Sequence, residues 1–248
     1  TIKYEKKMKK CVLFFSIVIM GFMLSSCLES GDQSYAGVMQ FSYVTMDNSG
    51  FIYARNEGGF ITSESIRMLS PGNCYFLSYT WNSENGMTQS ADGFNIFNVV
   101  LTDEPEPVPS TTLVMADAPA EVGTPFYKFS SPYYSRDEYF GDFWAFSYQW
   151  KKKKGEEARV DFYKSSETTE TSGEILIDVR LSKIGTPTET TETIENGIIA
   201  VNMSSLRNLL QTSGETETKN VPIRFRYYIE GGSEPIKSSA YAITIYAD

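Results

Sequence analysis

The sequence of 248 residues contains no histidine. Ser-His-Asp and Cys-His nucleophile systems require an imidazole base, and many zinc sites require imidazole ligands. The lack of histidine therefore excludes these mechanisms. What remains is carboxylate chemistry, cations bound by oxygen ligands, or a function without catalysis.

Long hydrophobic runs are also scarce, and the strongest one, residues 11–23 (CVLFFSIVIMGFM), has only 13 residues. As a helix it would span about 20 Å, whereas the hydrocarbon core of a bilayer is about 30 Å thick, so we do not expect a stable membrane span. Four lysines precede this run: Lys6, Lys7, Lys9 and Lys10. A cationic segment before a short apolar run is the layout of a secretory signal.

The signal ends in Leu24-Ser25-Ser26-Cys27, which resembles the lipobox of bacterial lipoproteins. The resemblance implies that Cys27 carries a diacylglyceryl thioether, that the chain is cut before Cys27, and that the new amino terminus is acylated. The alternative is a plain signal peptide with a chance cysteine. Each buried methylene contributes about 0.8 kcal/mol, so two or more acyl chains, palmitate for example, hold a protein on a membrane without a spanning helix.

We therefore predict that residues 1–26 are a lipoprotein signal peptide and that residues 27–33 are a lipid-anchored tether. The signal is complete from Met8, so we interpret residues 1–7 as an upstream artefact of the start site. Leu28, rather than Asp, follows the cysteine, so the retention signal of enteric inner-membrane lipoproteins is missing. The prediction is a lipid-anchored protein of the outer membrane, exposed at the cell surface.

Cysteine is nearly absent beyond this point, because Cys74 is the only cysteine after Cys27. With Cys27 acylated, no intrachain disulfide can form. A catalytic thiolate needs a basic partner, whereas a lone cysteine inside the apolar stretch CYFLSYTW is most simply a buried filler. We predict that Cys74 is buried.

Positive charge is in short supply. Residues 1–26 hold five of the 22 basic and one of the 31 acidic side chains, which leaves 17 basic against 30 acidic groups and a net charge of −13. A chain with this negative net charge repels the phosphate backbone of nucleic acids, so we predict no nucleic-acid partner. The same charge suits a soluble surface protein.

Hydrophobic residues alternate with polar ones along most of the chain after residue 34, in short runs separated by Gly, Asn, Ser and Asp. Period-two alternation predicts β-strands. The first group of strands is predicted at residues 37–45, 50–55, 73–81 and 94–101, with turns between them at residues 47–50, 56–59, 71–72 and 82–86. We interpret residues 34–103 as a small barrel domain.

The segment Asp103-Glu104-Pro105-Glu106-Pro107-Val108-Pro109-Ser110 follows this group. Alternate prolines fix φ and remove backbone donors, which predicts a stiff extended connector. Residues 104–110 are therefore predicted to be a linker between two domains.

A second group of strands occupies residues 111–248 and alternates more cleanly. In FWAFSYQW, Trp144, Phe146, Tyr148 and Trp150 share one face, and the opposite face is predicted to be in water. Similar runs occur at residues 111–115, 158–163, 175–181, 197–203, 221–230 and 241–245. About seven such strands predict an antiparallel two-sheet sandwich. Residues 204–211 (SSLRNLLQ) predict its one short helix, capped by Ser204 or Ser205.

Three loops rich in Thr and Glu, residues 165–172, 188–193 and 215–218, are predicted to be soluble, mobile loops rather than an adhesive or cation-binding rim. The lysine run 151–154, with Glu156 and Glu157, is predicted to form a solvated hairpin tip rather than a contact with an anionic glycan or a lipid headgroup. We assign no catalytic residue, no metal ligand and no cofactor.

Acidic pairs offer the main catalytic alternative. Asp137 with Glu138, or Asp161 with Asp178, could serve a glycoside hydrolase, but that mechanism needs two acids at a set separation, which the sequence does not supply. Tyr133 and Tyr134 lie in a loop-like stretch, where they could stack on a sugar or pack against the sandwich.

The lipobox, the small barrel, the linker, and a sandwich containing IAVNMSSLR (residues 199–207) before the strand 221–229 together resemble the NigD-like lipoproteins. This resemblance implies an N-terminal OB-type barrel, a C-terminal β-sandwich and a link to bacteriocin gene clusters. It supplies no catalytic residues.

Two functions are therefore expected. The first is a non-enzymatic surface lipoprotein, with a role in bacteriocin immunity or as an accessory, or binding an extracellular protein or glycan. The alternative is a carboxylate-dependent surface glycoside hydrolase or a glycan-binding accessory protein.

Overall fold

A computed structural model of the protein describes residues 34–167, 173–211 and 217–247. The predicted signal peptide, Cys27, the tether and parts of two Thr/Glu-rich loops lie outside the described residues. The fold is all-β, as predicted. The strands are β1 (Ser34–Met46), β2 (Ile52–Asn56), β3 (Gly59–Thr62), β4 (Cys74–Asn82), β5 (Met87–Gln89), β6 (Asn95–Asn98), β7 (Val100–Leu101), β8 (Glu106–Pro107), β9 (Ser110–Thr112), β10 (Lys128–Phe129), β11 (Phe143–Lys153), β12 (Glu157–Lys164), β13 (Ile175–Ile184), β14 (Glu192–Asn202), β15 (Lys219–Tyr227), β16 (Ile236–Lys237) and β17 (Tyr241–Ile245).

Strands β1 to β7 form a curled sheet with the pairing order of an OB barrel. Strand β1 pairs antiparallel with both β2 and β4, and β2 pairs antiparallel with β3. Strand β6 runs parallel to β3, and β7, which follows it after Val99, returns to β4. The strand pairing changes from β3 to β4 at Val99, between β6 and β7. The barrel is therefore partly open and not closed.

A separate apolar core fills the barrel. Its buried strand residues share one face, as period-two side-chain alternation requires, and are Val44, Ala54, Ile61, Leu77, Tyr79 and Trp81. Ile66 and Val99, which lie outside the strands, complete the core.

Two features of the barrel were not predicted. Residues 59–62, of which only Gly59 fell in a predicted turn, form β3, and a one-turn helix α1 (Glu64–Arg67) follows it. The Ser63 hydroxyl caps this helix by accepting a hydrogen bond from the Ile66 N–H at 3.1 Å. The helix is too short to leave a periodic pattern, because only Ile66 in it is buried.

The second group of strands forms a two-sheet sandwich. One sheet has the order β10-β11-β14-β9, and the other has the order β12-β13-β15-β16, with β17 also paired to β15. The sheets are mixed, which corrects the antiparallel prediction, since β13 pairs with β15 and β14 with β9 in parallel. The chain leaves β13 for β14 in the other sheet and then returns, so β13 and β15 run in the same direction.

The predicted hairpin at the lysine run is also wrong. Strand β11 pairs with β10 and β14, whereas β12 pairs with β13 in the other sheet. The turn after Lys153 therefore links the two sheets. The reason is packing, because Trp150 on β11 and Phe162 on β12 both face the core between the sheets.

The core of the sandwich confirms the predicted apolar face of β11. Trp144, Phe146, Tyr148 and Trp150 are all buried in one cluster. The other strands add their alternate residues, namely Val160, Phe162, Ile177, Val179, Leu181, Ile199, Val201, Val221, Ile223, Phe225, Ile243 and Ile245.

The helix predicted at residues 204–211 is present as α2 (Ser204–Leu210). Its capping differs from the prediction, because Met203 occupies the N-cap position and neither Ser204 nor Ser205 caps it. Instead, the Asn202 side chain accepts a hydrogen bond from the Ser204 N–H at 2.8 Å. Leu206 is fully buried against the sandwich core.

The barrel and the sandwich share a buried apolar interface, which we call the module junction. Phe41, Cys74 and Phe76 come from the barrel, Val108 comes from the predicted linker, and Phe140, Phe143, Ala145 and Ala200 come from the sandwich. The predicted linker is extended and paired on both sides, since β8 pairs with β4 and β9 pairs with β14. The face of β11 opposite Trp144 was predicted to be in water. It is instead buried at Phe143 and Ala145.

Candidate functional site

The most distinctive polar and aromatic surface of the barrel lies on the outer face of β2 and β3, which is the face that OB barrels use for ligands. Two loops flank it, residues 47–51 and residues 83–94. The Asp47 carboxylate joins them, because it accepts backbone hydrogen bonds from Ser49 (2.9 Å), Phe51 (2.9 Å) and, across to the other loop, Ala91 (2.8 Å). The hydrogen bonds to Asp47 lower the pKa of its carboxyl group to about 2. The bond from the Ser49 hydroxyl contributes most to this shift, and the backbone bonds add to it.

Four aromatic rings form this face, which we call the barrel face: three of them are half-buried, and the fourth, Tyr53, is only 1% exposed. Phe60 and Phe94 lie with their ring centroids 4.5 Å apart. Tyr53 contacts both rings edge-on, at 5.9 Å and 5.4 Å. Tyr139 comes from the sandwich and approaches Phe60 at 5.9 Å.

Arg55 is the charged group of the barrel face. Its guanidinium lies 5.6 Å from the centroid of the Tyr53 ring, and Nη2 donates to the Tyr53 hydroxyl at 3.0 Å. Its Nε is buried and has no hydrogen-bond partner. Throughout the part of the chain that the structure describes, no carboxylate forms an ion pair with Arg55. A cation that lies over an aromatic ring and has no carboxylate partner among the described residues is suited to bind an anionic group.

The barrel face is held in place by Asn56, which is fully buried. Its side chain accepts hydrogen bonds from the Gly58 N–H (2.9 Å) and the Tyr79 hydroxyl (3.2 Å), and its backbone carbonyl accepts one from the Tyr139 hydroxyl at 2.9 Å. Burial raises the pKa of Tyr139 to about 12, and the nearby Arg55 opposes that rise. The sandwich thus supplies one wall of the barrel face.

Sequence reasoning did not identify Arg55 or the rings around it. Alternation in GFIYARN showed that Tyr53 and Arg55 share one side of a strand. It could not show that Phe94 and Tyr139 cover the same side.

The acidic pairs considered for catalysis are engaged in local contacts. Asp178 is 3% exposed, and its two oxygens accept from Arg226 Nε (2.6 Å) and Nη2 (2.8 Å). Asp161 pairs with Arg159 at 2.9 Å. Each of these carboxylates is held by a guanidinium on the outer surface of a sheet.

The other acidic pair lies in the loop before β11. Asp137 accepts hydrogen bonds from the Ser135 hydroxyl and the Tyr139 N–H at 2.5 Å and 3.0 Å, and Glu138 lies 3.5 Å from Arg207. These contacts give the two carboxylates a part in shaping the turn.

The loop tyrosines are half-buried and pack against other aromatic rings of the protein. Tyr134 lies 3.9 Å from Trp144 between ring centroids, and Tyr133 contacts Phe41 and Phe140 at the module junction. Burial, reinforced by Glu57, raises the pKa of Tyr133. The packing interpretation of these two rings is therefore confirmed.

The lysine run lies in surface ion pairs. Lys152 pairs with Glu195 at 2.8 Å, and Lys154 pairs with Glu189 at 2.6 Å. The latter two side chains are 71% and 53% exposed, and pairs this exposed contribute little to stability. Lys152 and Lys154 are thus each paired with a nearby carboxylate.

Cys74 is a free thiol, 2% exposed, at the module junction, which confirms its predicted burial. Burial raises the pKa of its thiol. The predicted lipidation site, Cys27, lies outside the described residues. Within residues 34–167, 173–211 and 217–247, no helix has the length and hydrophobicity needed to cross a bilayer. In those same residues, no three Cys, Asp or Glu side chains are grouped as metal ligands.

No protein-family model matches the sequence, and no curated protein matches it. Several solved structures do match its fold. An uncharacterised protein from Parabacteroides merdae has a TM-score of 0.56 at 10% identity, with 86% of this chain and 99% of that chain covered.

Two further matches are more informative. A predicted lipoprotein from Bacteroides fragilis has a TM-score of 0.50 at 13% identity, covering 87% of this chain and 99% of that chain. A NigD-like immunity protein from Bacteroides caccae has a TM-score of 0.50 at 13% identity, covering 89% of this chain and 100% of that chain. The chain therefore has the fold of a NigD-like protein, as the sequence resemblance implied.

Proposed function

We propose that the protein is a non-enzymatic lipoprotein, anchored to the outer membrane through acyl chains on Cys27 and exposed at the cell surface, that binds an extracellular protein through its barrel face. The lipobox residues 24–27 support the anchor. Two proteins with the same fold, one described as a predicted lipoprotein and one as NigD-like, also support it.

The observation that carries the binding role is the state of Arg55. The chain has a large excess of acidic groups, yet this guanidinium has no carboxylate partner among the described residues and stacks on Tyr53 instead. Tyr and Arg are the residues that most often dominate the binding energy of protein interfaces. The ligand we propose presents a carboxylate to Arg55 and an apolar surface to Phe60 and Phe94.

Fold by itself does not fix function. The solved relative from Bacteroides caccae is described as an immunity protein, and we propose the corresponding role here, with a bacteriocin as the extracellular protein. A surface binder that captures such a toxin needs no catalytic residue, which agrees with the lack of histidine.

The anchor is tested by metabolic labelling with a palmitate analogue. The wild-type chain should take up label and Cys27→Ser should not, whereas Cys74→Ser, which removes a buried thiol, should label normally. Label on Cys27→Ser would contradict the lipid anchor. Digestion of intact cells with protease should remove the protein if it faces outward, and protection would place it on the periplasmic side.

The binding role is tested with a deletion strain challenged by bacteriocins from sibling strains. Deletion should raise sensitivity, and the wild-type gene should restore resistance. Arg55→Ala should fail to restore it, whereas Arg159→Ala, which removes an exposed guanidinium from the sandwich, should restore it fully. Unchanged sensitivity of the deletion strain to every toxin would refute this role.

A further inference from the structure

The outward side of β2 continues past the barrel face into the loop before the strand. Side chains of a strand alternate between its two faces. Ile52 and Ala54 pack in the barrel core, so Phe51, Tyr53 and Arg55 share the outward side. Phe51 is half-buried. It extends the aromatic surface of the barrel face toward helix α1.

A second guanidinium lies at the far end of this side of β2. Arg67, the last residue of α1, holds its guanidinium 5.8 Å from the centroid of the Phe51 ring. Arg67 is exposed, and it forms no ion pair with any described residue. The arrangement repeats that of Arg55 over Tyr53, at 5.6 Å. We call Arg67, Phe51, Tyr53 and Arg55 the two-arginine row.

Both guanidiniums have unused hydrogen-bond donors. A guanidinium carries five N–H donors, and the single bond that Arg55 makes to a described residue runs from Nη2 to the Tyr53 hydroxyl. Its Nε is buried, whereas Nη1 is accessible and has no partner in the described part of the chain. By contrast, Arg207 and Arg226 are both held by carboxylates. Free guanidinium donors favour a carboxylate, which they bind in a bidentate manner.

The carboxylate nearest to the row in sequence does not neutralise it. Asp47 is 5% exposed, and its oxygens accept backbone hydrogen bonds from Ser49, Phe51 and Ala91. Its charge is therefore directed at its own loops. The two arginines are left for a group from outside the chain.

The middle of the two-arginine row is apolar. Tyr53 is 1% exposed, since Phe60 and Phe94 lie against it edge-on at 5.9 Å and 5.4 Å. These two rings are half-buried and form the surface over Tyr53. A ligand that reaches both arginines therefore crosses an aromatic surface between them.

The positions of the arginines set the length of that ligand. Arg67 lies over Phe51 and Arg55 leans toward Tyr53, so the two guanidiniums are separated by roughly 7–13 Å, the rise of two to four strand residues. In an extended peptide, residues i and i+4 lie about 13 Å apart on the same side, with residue i+2 between them. Acidic side chains at i and i+4 can lean inward to meet both arginines.

We propose that the barrel face binds an acidic, extended segment of the partner protein, with carboxylates at positions i and i+4 on Arg55 and Arg67 and an apolar side chain at position i+2 on Phe60 and Phe94. This inference rests on the proposed binding role of the barrel face and adds Arg67 as a second anchor. The acidic excess of the chain repels such a segment from most other surfaces, which favours binding at this row.

The test uses the full chain, purified in a non-ionic detergent. The probe is a seven-residue peptide, acetylated and amidated, with glutamate at its second and sixth positions, leucine at the fourth and serine elsewhere. Binding is titrated by saturation-transfer NMR at about 50 mM salt, where screening is weak. The peptide should bind, and the same peptide with glutamine in place of both glutamates should not.

A second peptide tests the spacing. It has the same composition but carries its glutamates at the second and fifth positions. It should bind at least threefold more weakly, because the side chains of residues three apart point to opposite sides of an extended chain.

Variants then locate the site. Arg55→Gln and Arg67→Gln keep a polar stem on each ring but remove the charge, and each should weaken binding of the first peptide at least fivefold. Arg67→Lys restores a positive charge and should weaken binding less than Arg67→Gln. Arg159→Ala, which removes an exposed guanidinium from the sandwich, should leave binding unchanged. Circular dichroism checks that each variant is folded.

Three results would overturn the inference. They are unchanged peptide binding by folded Arg67→Gln, equal binding of the glutamate and glutamine peptides, and tighter binding of a hyaluronan tetrasaccharide, which would assign the face to an anionic glycan. The proposed function is tested separately through bacteriocin sensitivity. If Arg55→Ala fails to restore resistance and Arg67→Gln restores it fully, the binding role stands and the second anchor is wrong.

Discussion

Arg207 on helix α2 and Asp142 at the start of β11 form a buried ion pair, with Nε at 2.9 Å from both carboxylate oxygens and Nη2 at 2.7 Å from one. Both residues are at most 5% exposed. Arg207 also donates to the backbone carbonyls of Arg136 and Thr244. The pair thus ties the helix and the last strand to residues 136–142, the loop that packs on the barrel.

Breaking this pair should destabilise the protein strongly. Arg207→Met keeps most of the side-chain volume but leaves the Asp142 carboxylate buried without a partner, so we expect a loss of about 3–5 kcal/mol in the free energy of unfolding. Asp142 has a φ of 61°, which asparagine tolerates well, so Asp142→Asn tests the opposite half without straining the backbone.

Urea denaturation of both single variants and the double variant gives a double-mutant cycle, which measures the interaction energy between Arg207 and Asp142. The double variant should be clearly more stable than the sum of the two losses predicts. Strict additivity would show that the two side chains do not depend on each other.

The close approach of Gly141 to Tyr43 should control how the sandwich docks on the barrel. A β-carbon at Gly141, where φ is +60°, would overlap the Tyr43 ring. Gly141→Ala should therefore cost about 1–3 kcal/mol beyond backbone strain and should expose residues 104–110 to limited proteolysis.

Gly72→Ala is the matched control, because Gly72 also has a positive φ but no atom within 4 Å of the added β-carbon. It should show only the strain of the left-handed conformation. Equal losses for the two variants would mean that Gly141 has no packing role at the module junction.

The Asp47 carboxylate should make the barrel sensitive to acid. Its pKa in the folded protein is about 2, below the ordinary value of 3.8, so its ionised form is favoured by folding. The stabilisation is complete above about pH 5 and is lost as the pH falls toward 2. The Asp47→Ala variant should thus melt lower than wild type at pH 7, by a margin that narrows between pH 5 and pH 3.

Thermal unfolding followed by circular dichroism gives the two melting curves across this range. Glu104→Ala, which removes an exposed carboxylate, should shift the melting temperature little at any pH. If the difference in melting temperature between wild type and Asp47→Ala stayed constant across this pH range, the ionised Asp47 carboxylate could not be its source.

The Cys74 thiol should be unreactive in the native protein, because it is 2% exposed and burial raises its pKa. In a chain with Cys11 and Cys27 replaced by serine, a thiol reagent such as DTNB should react slowly in buffer at pH 8 and with one equivalent in denaturant. Rapid reaction in buffer would indicate that the module junction opens.

The strands were largely predictable from sequence because a half-buried strand repeats every two residues. The alternation in FWAFSYQW correctly predicted that four aromatic residues lie in the core. The spacing of leucines in SSLRNLL correctly predicted helix α2. The errors arose where the decisive partner is distant in sequence. The turn after Lys153 was taken for a hairpin because two adjacent alternating runs look the same whether the strands pair edge to edge or pack face to face.

The candidate site was less predictable than the fold. Cys74 and the packed tyrosines followed from local composition, whereas Arg55 looked like an ordinary solvent-facing residue of a strand. Its importance depends on distant parts of the chain, because Phe94 packs on the neighbouring Tyr53 and Tyr139 lies close enough for Arg55 to affect its pKa.

The sequence alone determined that the protein is all-β, that it cannot use histidine chemistry, and that its core faces alternate along each strand, since these depend on residue type and local period. Only the tertiary structure decided that Ala145 is covered by the barrel, that Arg207 is buried, and that Arg55 has no carboxylate partner among the residues that the structure describes. Those outcomes depend on which surfaces meet, and the meeting surfaces are set by contacts between residues far apart in the chain.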